Sequence, residues 1–319
     1  MKSKLFAGLV ALSLSFSAHA FAKDIPSVDL VSGDYVGVAG VELDQLGTRD
    51  IFASINEAVR SEKSLAKALS QVESLGYDVS KDIDLVLVFI PADVDKSSSY
   101  VVIVEAKKSL KALEGSFAKD PRFDARQHEG STYFAVKSTN DVYAVIDDKR
   151  MVIGSDREVR GILETLKTGT AKKPLKSNTA LFKQYQAVDK KKDIWVAYVL
   201  TSKHRDKLKS VQLDGADGKA FKASEMEAGQ ATIHFASGLE INLSAKMKSD
   251  ASAKGSAEVL GTTLQALLGD QAMSDLGLGF LAKAVKITSS KSTLAAVIKL
   301  SKSELESVMA LLGELGKSL

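Results

Sequence analysis

The chain has no cysteine, only four prolines, one tryptophan and no run of apolar residues after the first twenty that is long enough to span a bilayer. Without cysteine there is no disulfide framework, thiol nucleophile, iron–sulfur cluster or thiolate zinc site. A lipid-modified N-terminal cysteine is excluded on the same ground. Few prolines, with 22 glycines in 319 residues, argue against a linker-rich array or a collagen-like chain. There is no surplus of one charge either, with 43 Lys and Arg against 40 Asp and Glu. What is present is 45% hydrophobic residues, enough to build a core and too much for an open chain.

The first residues read as an exported leader. Lys2 and Lys4 give a positive start, Leu5 to Phe16 an apolar run, and Ala18-His19-Ala20 a small-x-small cleavage site. Cleavage after Ala22 is the second option. A transmembrane anchor needs about 20 apolar residues, and Ser13, Ser15 and Ser17 interrupt this shorter run. The expectation is a soluble, non-lipidated periplasmic or extracellular protein. Loss of the leader removes two lysines and no acid, leaving 41 basic against 40 acidic residues. That balance sets up no long-range field to attract nucleic acid. Lys172-Lys173 and Lys190 to Lys192 are short basic clusters on a solvated surface.

Residues 167–177, with Gly169 and Pro174, read as a linker between a first half at 24–166 and a second at 178–319. Asn178 is placed to cap the helix that follows. A unit of strand, tight turn, strand and helix recurs at 83–117, 142–166, 231–268 and 285–315. The second and fourth copies carry Ser-x-x-Glu at the helix start, Ser155 with Glu158 and Ser301 with Glu304, which is capping-box spacing. Matching apolar faces follow: Val159, Ile162, Leu163 and Leu166, then Leu305, Val308, Met309 and Leu312. This pattern indicates an internal duplication. Continuous aliphatic content at Ile83–Ile90 and Tyr100–Ala106 predicts central strands buried on both faces. At 239–247, Leu239, Ile241, Leu243, Ala245 and Met247 alternate with polar residues, which predicts one dry and one wet face. The fold class is α+β, two duplicated halves of antiparallel sheet with helices packed on one face.

On Asp82–Val88, Ala144–Gly154, Ile194–Val196 and the Leu300–Leu305 junction, the chain resembles a group of uncharacterised exported bacterial proteins. The likeness covers most of the chain beyond the leader as patterned strands and helices. It implies the repeated α+β fold and no activity.

No motif assigns a reaction, so the expected catalytic, metal and cofactor sets are empty. His128, His204 and His234 lack the i, i+4 spacing of a helix-borne metal site. The aspartates of 214–218 lack the EF-hand spacing and its closing Glu. Gly277, Gly279 and Ala282 match a dinucleotide-type glycine string but follow no strand. Ser64 with Lys67, Ser138 with Asn140, and Lys167-Thr168-Gly169 occur in the order of penicillin-recognising motifs. Lys167–Gly169, however, reads as the glycine-terminated end of a helix. The remaining feature is apolar. From Val259 to Val285 the charges are few, Leu260, Leu264, Leu267 and Leu268 share a helix face, and Leu276, Leu278, Phe280 and Leu281 crowd a glycine-loosened segment. These last four are the candidate contacts for a hydrophobic ligand or a cell-envelope partner. The reading is a non-enzymatic exported binding or scaffold protein. A chaperone or lipid carrier using 259–285, and a cell-envelope hydrolase with a site gathered from scattered residues, are the alternatives.

Overall fold

The computed structural model describes residues 26–49, 73, 76–92, 100–139, 141–271, 275 and 277–317, with side chains as far as Ala310. Outside these residues lie the expected leader, residues 51–72, where Ile51, Ile55 and Val59 and then Leu65, Leu69 and Val72 are spaced as one face of a helical region, and the side chains of Leu276 and Leu312. The described strands are β1 Tyr35–Glu42, β2 Ile83–Pro91, β3 Val101–Ala106, β4 Phe123–His128, β5 Ser131–Val136, β6 Asp141–Val145 and β7 Arg150–Ser155. They continue with β8 Ile194–Val199, β9 Gln212–Asp214, β10 Ala220–Lys222, β11 Met226–His234, β12 Gly238–Met247, β13 Val285–Ser290 and β14 Thr293–Ser301. The principal helices are α1 Lys111–Lys119, α2 Asp156–Thr168, α3 Thr179–Ala187, α4 Ser202–Lys207, α5 Asp250–Leu268 and α6 Lys302–Lys317. The class is α+β, and among the described residues these strands pair antiparallel.

Two compact units divide the chain. Residues 26–35 and 73–182 form the first; 36–49 and 183–317 form the second. The 167–177 stretch packs within the first unit, where Lys173 O accepts from Gly33 N at 2.6 Å and Leu175 is fully buried. Asn178 caps α3, its Oδ1 accepting from Leu181 N at 3.2 Å, while its amide donates to Gly33 O and Tyr35 O. From Val36 onward strand β1 belongs to the second unit, where Gly37 to Val41 pair with β8, while Tyr35 at its start belongs to the first.

In the first unit the strand order is β2-β3-β7-β6-β5-β4, and in the second β13-β14-β12-β11-β8-β1. Within each lies the same path. Hairpin β2–β3, helix α1, hairpin β6–β7 and helix α2 correspond to β11–β12, α5, β13–β14 and α6. In both, the second strand of the later hairpin lies against the second strand of the earlier one. The sequence repeat is therefore a repeat of topology.

Helix α2 covers one face of the first sheet with Val159, Ile162, Leu163 and Leu166, all buried above Ile103, Val142, Ala144 and Val152. Helix α1 packs on the opposite face, where Phe117 touches Phe123, Phe134 and Tyr143 with ring centroids 4.8, 5.5 and 5.7 Å apart. The helices of this unit thus divide between the faces. The expectation that β2 and β3 are buried on both faces does not hold. Leu87, Phe89, Val101 and Ile103 are buried, whereas Val86, Val88, Val102 and Val104 are half-buried. Aliphatic continuity reflects β propensity as well as burial, so it overstates cover on the second face.

In the second unit, Ala245, Met247, Ala253 and Leu294 form a core that Phe221, Met226, Leu260 and Ile287 extend. Trp195 is buried against Gly40, where a Cβ would come within 2.2 Å of the indole ring, and its Nε1–H donates to Glu42 Oε1 at 3.1 Å. Beside it, the fully buried Asp193 carboxylate accepts from Arg49 Nε at 3.1 Å, His234 Nδ1 at 2.8 Å and Phe235 N at 2.6 Å. A buried carboxylate needs such a set of donors to offset its desolvation. The Asp214–Gly218 turn is the tip of a short hairpin, β9–β10, whose strands the sequence does not announce. Three-residue strands are too short for an alternation signal.

Candidate functional site

The residues of β12 alternate as the sequence predicts, but water does not follow the alternation. Ala245 and Met247 are buried under α5. Farther along the same face, Leu239 and Ile241 are half-buried and Leu243 is 43% exposed, more than Asn242 or Ser244 on the polar face. The cross-strand register places Leu243 between Ala231 of β11 and Ala296 of β14, and Ile241 between Ile233 and Ile298. All four neighbours are half-buried. The centre of this sheet face is therefore a partly uncovered apolar surface with no hydrogen-bonding side chain among those six residues. All its strand backbones are paired on both sides, so it offers no edge to extend.

The two helices that end the repeats differ in the same sense. Ile162 and Leu163 of α2 are 2% exposed, whereas at the matching offsets of α6 Val308 is half-buried and Met309 is 42% exposed. Helix α6 packs on β12 and β14. At the end of α5, Leu267 is 62% exposed. Among the described residues, the large apolar side chains classed as exposed are Val211, Leu213, Leu243, Leu267 and Met309, all in the second unit. An exposed apolar group forfeits about 25 cal/mol per Å² that burial would return.

The capping boxes also diverge. At α6 the box forms: Ser301 N donates to Glu304 Oε2 at 2.7 Å, and Glu304 N donates to Ser301 Oγ at 3.3 Å. At α2 it does not. Glu158 accepts from the Tyr35 hydroxyl at 2.9 Å, and the buried Ser155 Oγ has no hydrogen-bond partner.

Of the four candidate contacts read from sequence, Leu276 lies outside the described residues. Leu278 is buried, and Phe280 and Leu281 are half-buried in the turn that enters β13. In the 259–285 segment, Val259 is buried and Leu260 joins the core, while Leu267 points outward. The residues that sequence reasoning missed are Ile241, Leu243, Ile298 and Met309. Their alternation and heptad-like spacing were visible; that a regular apolar face stays half open was not.

The first unit carries a cleft of about 1090 Å³ along α2, lined by apolar Leu30, Val31 and Val101 as well as by Glu129, Glu158 and Glu164. Lys172, then His128, hydrogen-bonds Glu164 and holds its carboxyl below the usual range; Lys167 does the same for Glu129. Carboxylates kept ionised by lysines are poor proton donors at neutral pH. Burial, then the neighbouring Glu158, pushes the Tyr35 hydroxyl far above the ordinary phenol range.

The histidines are separate. His128 meets Glu164, His204 meets the Thr201 hydroxyl at the start of α4, and His234 meets Asp193. Among the described residues no three His, Asp or Glu side chains gather as a metal site. Ser64, Lys67 and Asn140 lie outside the described residues. Lys167 and Thr168 are the last turn of α2, which Gly169 closes at φ 75°. Gly277, at φ 73°, precedes only a four-residue helical turn, Leu281–Ala284. No described helix is long and apolar enough to cross a membrane.

No family model and no curated protein sequence matches the chain. Solved structures do. Crystal form IV of TP0453 matches at 11% identity and a TM-score of 0.52, over 91% of this chain and 98% of that one. Crystal form III matches at 11% identity and a TM-score of 0.51, over 89% and 97%. At that identity the chain is similar to TP0453 in fold, and the similarity extends over nearly the whole of both molecules.

Proposed function

We propose that this is an exported, non-enzymatic binding protein that seats an apolar chain on the half-open sheet face of its second unit. The observation that carries the reading is Leu243, 43% exposed in the middle of a central strand and flanked by Ala231, Ile233, Ile241, Ala296 and Ile298. Peptide backbone laid on such a face would lose its water without finding donors or acceptors there, at a cost of a few kcal/mol per unpaired group. A hydrocarbon chain carries no such groups. The chemistry therefore favours an acyl chain over an extended peptide. Export rests on Lys2, Lys4, the Leu5–Phe16 run and the Ala18-His19-Ala20 site.

The test is titration of the purified mature protein with a fluorescent fatty acid. Saturable binding is expected, weakened about tenfold by Leu243→Lys, the equivalent of ~1.4 kcal/mol. Circular dichroism of the variant checks that the fold persists, and Leu243→Met, which keeps the surface apolar, retains binding. Absence of saturable binding, or equal binding by Leu243→Lys, refutes the reading. Export is tested separately: the N-terminus of the product secreted by a bacterial host begins at Phe21 or Lys23.

A further inference from the structure

Two Asp-Gly steps lie three residues apart at the tip of the β9–β10 hairpin, Asp214-Gly215 and Asp217-Gly218, and the fold treats them differently. Asp214 ends β9 opposite Ala220, and Gly215 N donates to Lys219 O at 2.8 Å. Gly215 also lies so close to α5 that a Cβ there would sit 2.5 Å from Val259 Cγ2. The first step is thus held by a hydrogen bond and by a helix.

Asp217 has φ 56° and ψ 31°, a left-handed conformation, and Gly218 follows at φ 70°. Residues 211–219 are exposed, and a Cβ built at Gly218 meets nothing within 4 Å. Aspartate tolerates the left-handed region better than most residues, yet pays for it relative to glycine. Apart from the exposed turn hydrogen bond from Lys219 N to Ala216 O, 3.2 Å long, nothing packed at Gly218 opposes rotation about its backbone.

We propose that Asp217 is a site of spontaneous covalent modification, isomerising to isoaspartate through a succinimide, while Asp214 is protected by the fold. The Gly218 amide nitrogen forms a bond to Cγ of the protonated Asp217 carboxyl. The Cγ–OH bond breaks, the amide proton leaves with the hydroxyl as one water, and a five-membered imide results. Water then adds to either imide carbonyl and opens the ring. One opening restores aspartate; the other routes the main chain through Cβ and Cγ and leaves a free α-carboxylate. Mass and formal charge are unchanged, and no oxidant or partner is consumed. The absence of a Cβ on Gly218 leaves the attacking nitrogen unhindered. The added methylene also relieves the left-handed constraint at residue 217.

The experiment ages the folded, full-length mature protein at neutral pH and physiological temperature, then maps the tryptic peptide Ser210–Lys219, which contains both steps. Fragment ions specific for isoaspartate report each position. Isoaspartate at 217 is expected to exceed that at 214 about tenfold, equivalent to ~1.4 kcal/mol between the two barriers. In urea, where hairpin and helix are lost, the ratio is expected near unity. Asp217→Glu, which keeps the charge but disfavours the small ring, abolishes the signal at 217. Equal accumulation at both positions in the folded protein, an excess at Asp214, or no isoaspartate at 217 while the urea sample accumulates it, overturns the proposal.

Discussion

Glu158 stands three residues after Ser155, where a capping box would place it, yet its carboxylate accepts from the hydroxyl of Tyr35 at 2.9 Å. The tertiary contact takes the acceptor that the local motif would use. Tyr35 is buried and stacks edge-on against Phe89 at 5.7 Å, so its hydroxyl must find a partner inside the unit. Tyr35→Phe is expected to lower stability by about 1 kcal/mol, the net worth of one such bond. The tyrosine also sets an alkaline limit. Its folded pKa is raised, by burial first and by Glu158 second. The unfolded chain therefore releases this proton near pH 10 while the folded chain holds it, and stability falls as pH rises beyond that point. Urea titrations of wild type and Tyr35→Phe between neutral pH and pH 11 check this; the decline should be shallower in the variant.

Ser256 offers a change of the opposite sign. It is fully buried in α5 and its Oγ has no hydrogen-bond partner. Replacing an unsatisfied buried hydroxyl by a methyl group removes a desolvation cost, and alanine is the better helix former. Ser256→Ala should raise stability by about 1 kcal/mol, seen as a higher urea midpoint at unchanged slope.

Asp193 is the reverse case. Three donors converge on its buried carboxylate: Arg49, His234 and the Phe235 amide. Asp193→Ala leaves all three without their acceptor and should cost about 3–5 kcal/mol. Asp193→Asn keeps one acceptor oxygen and should cost less. Trp195, the chain's one tryptophan, lies two residues away and supplies the fluorescence signal for the urea titration.

Glu240 sets a weak acid limit. Hydrogen bonds from Asn242, then from Lys299, bring its carboxyl down to about 2. A depressed folded pKa contributes stability that is complete above the ordinary carboxylate range and is lost as pH falls toward 2. The side chain is near the surface, 31% exposed, so solvent screening holds the effect below about 1 kcal/mol. Thermal melts of Glu240→Gln and wild type should converge between pH 4 and pH 2.

Much of the fold is legible in the residues. Glu129-Gly130, at φ 52° and 83°, is the tight turn that joins β4 to β5 where turn chemistry puts it. Gly169 closes α2, Asn178 opens α3, and the four strand–turn–strand–helix units fall where periodicity places them. These features depend on neighbours in sequence. The site is less legible, because exposure of Leu243 depends on what fails to cover it, and Leu278 is buried although its local composition suggests a loosened segment.

The sequence by itself determined most of the secondary structure, the duplicated order of elements and the absence of thiol chemistry, since each follows from local propensity, capping and composition. Tertiary structure alone decided three things. It assigned β1 from Val36 onward to the second unit, through the close fit of Gly40 to Trp195 and the pairing with β8. It diverted Glu158 to a tyrosine 123 residues away. It also buried the apolar stripe of α2 and left that of α6 half open, although the two stripes are spaced alike. The physical reason is common to all three. A residue's own sequence fixes which groups it offers, while the energy of offering them depends on atoms that only the folded chain brings near.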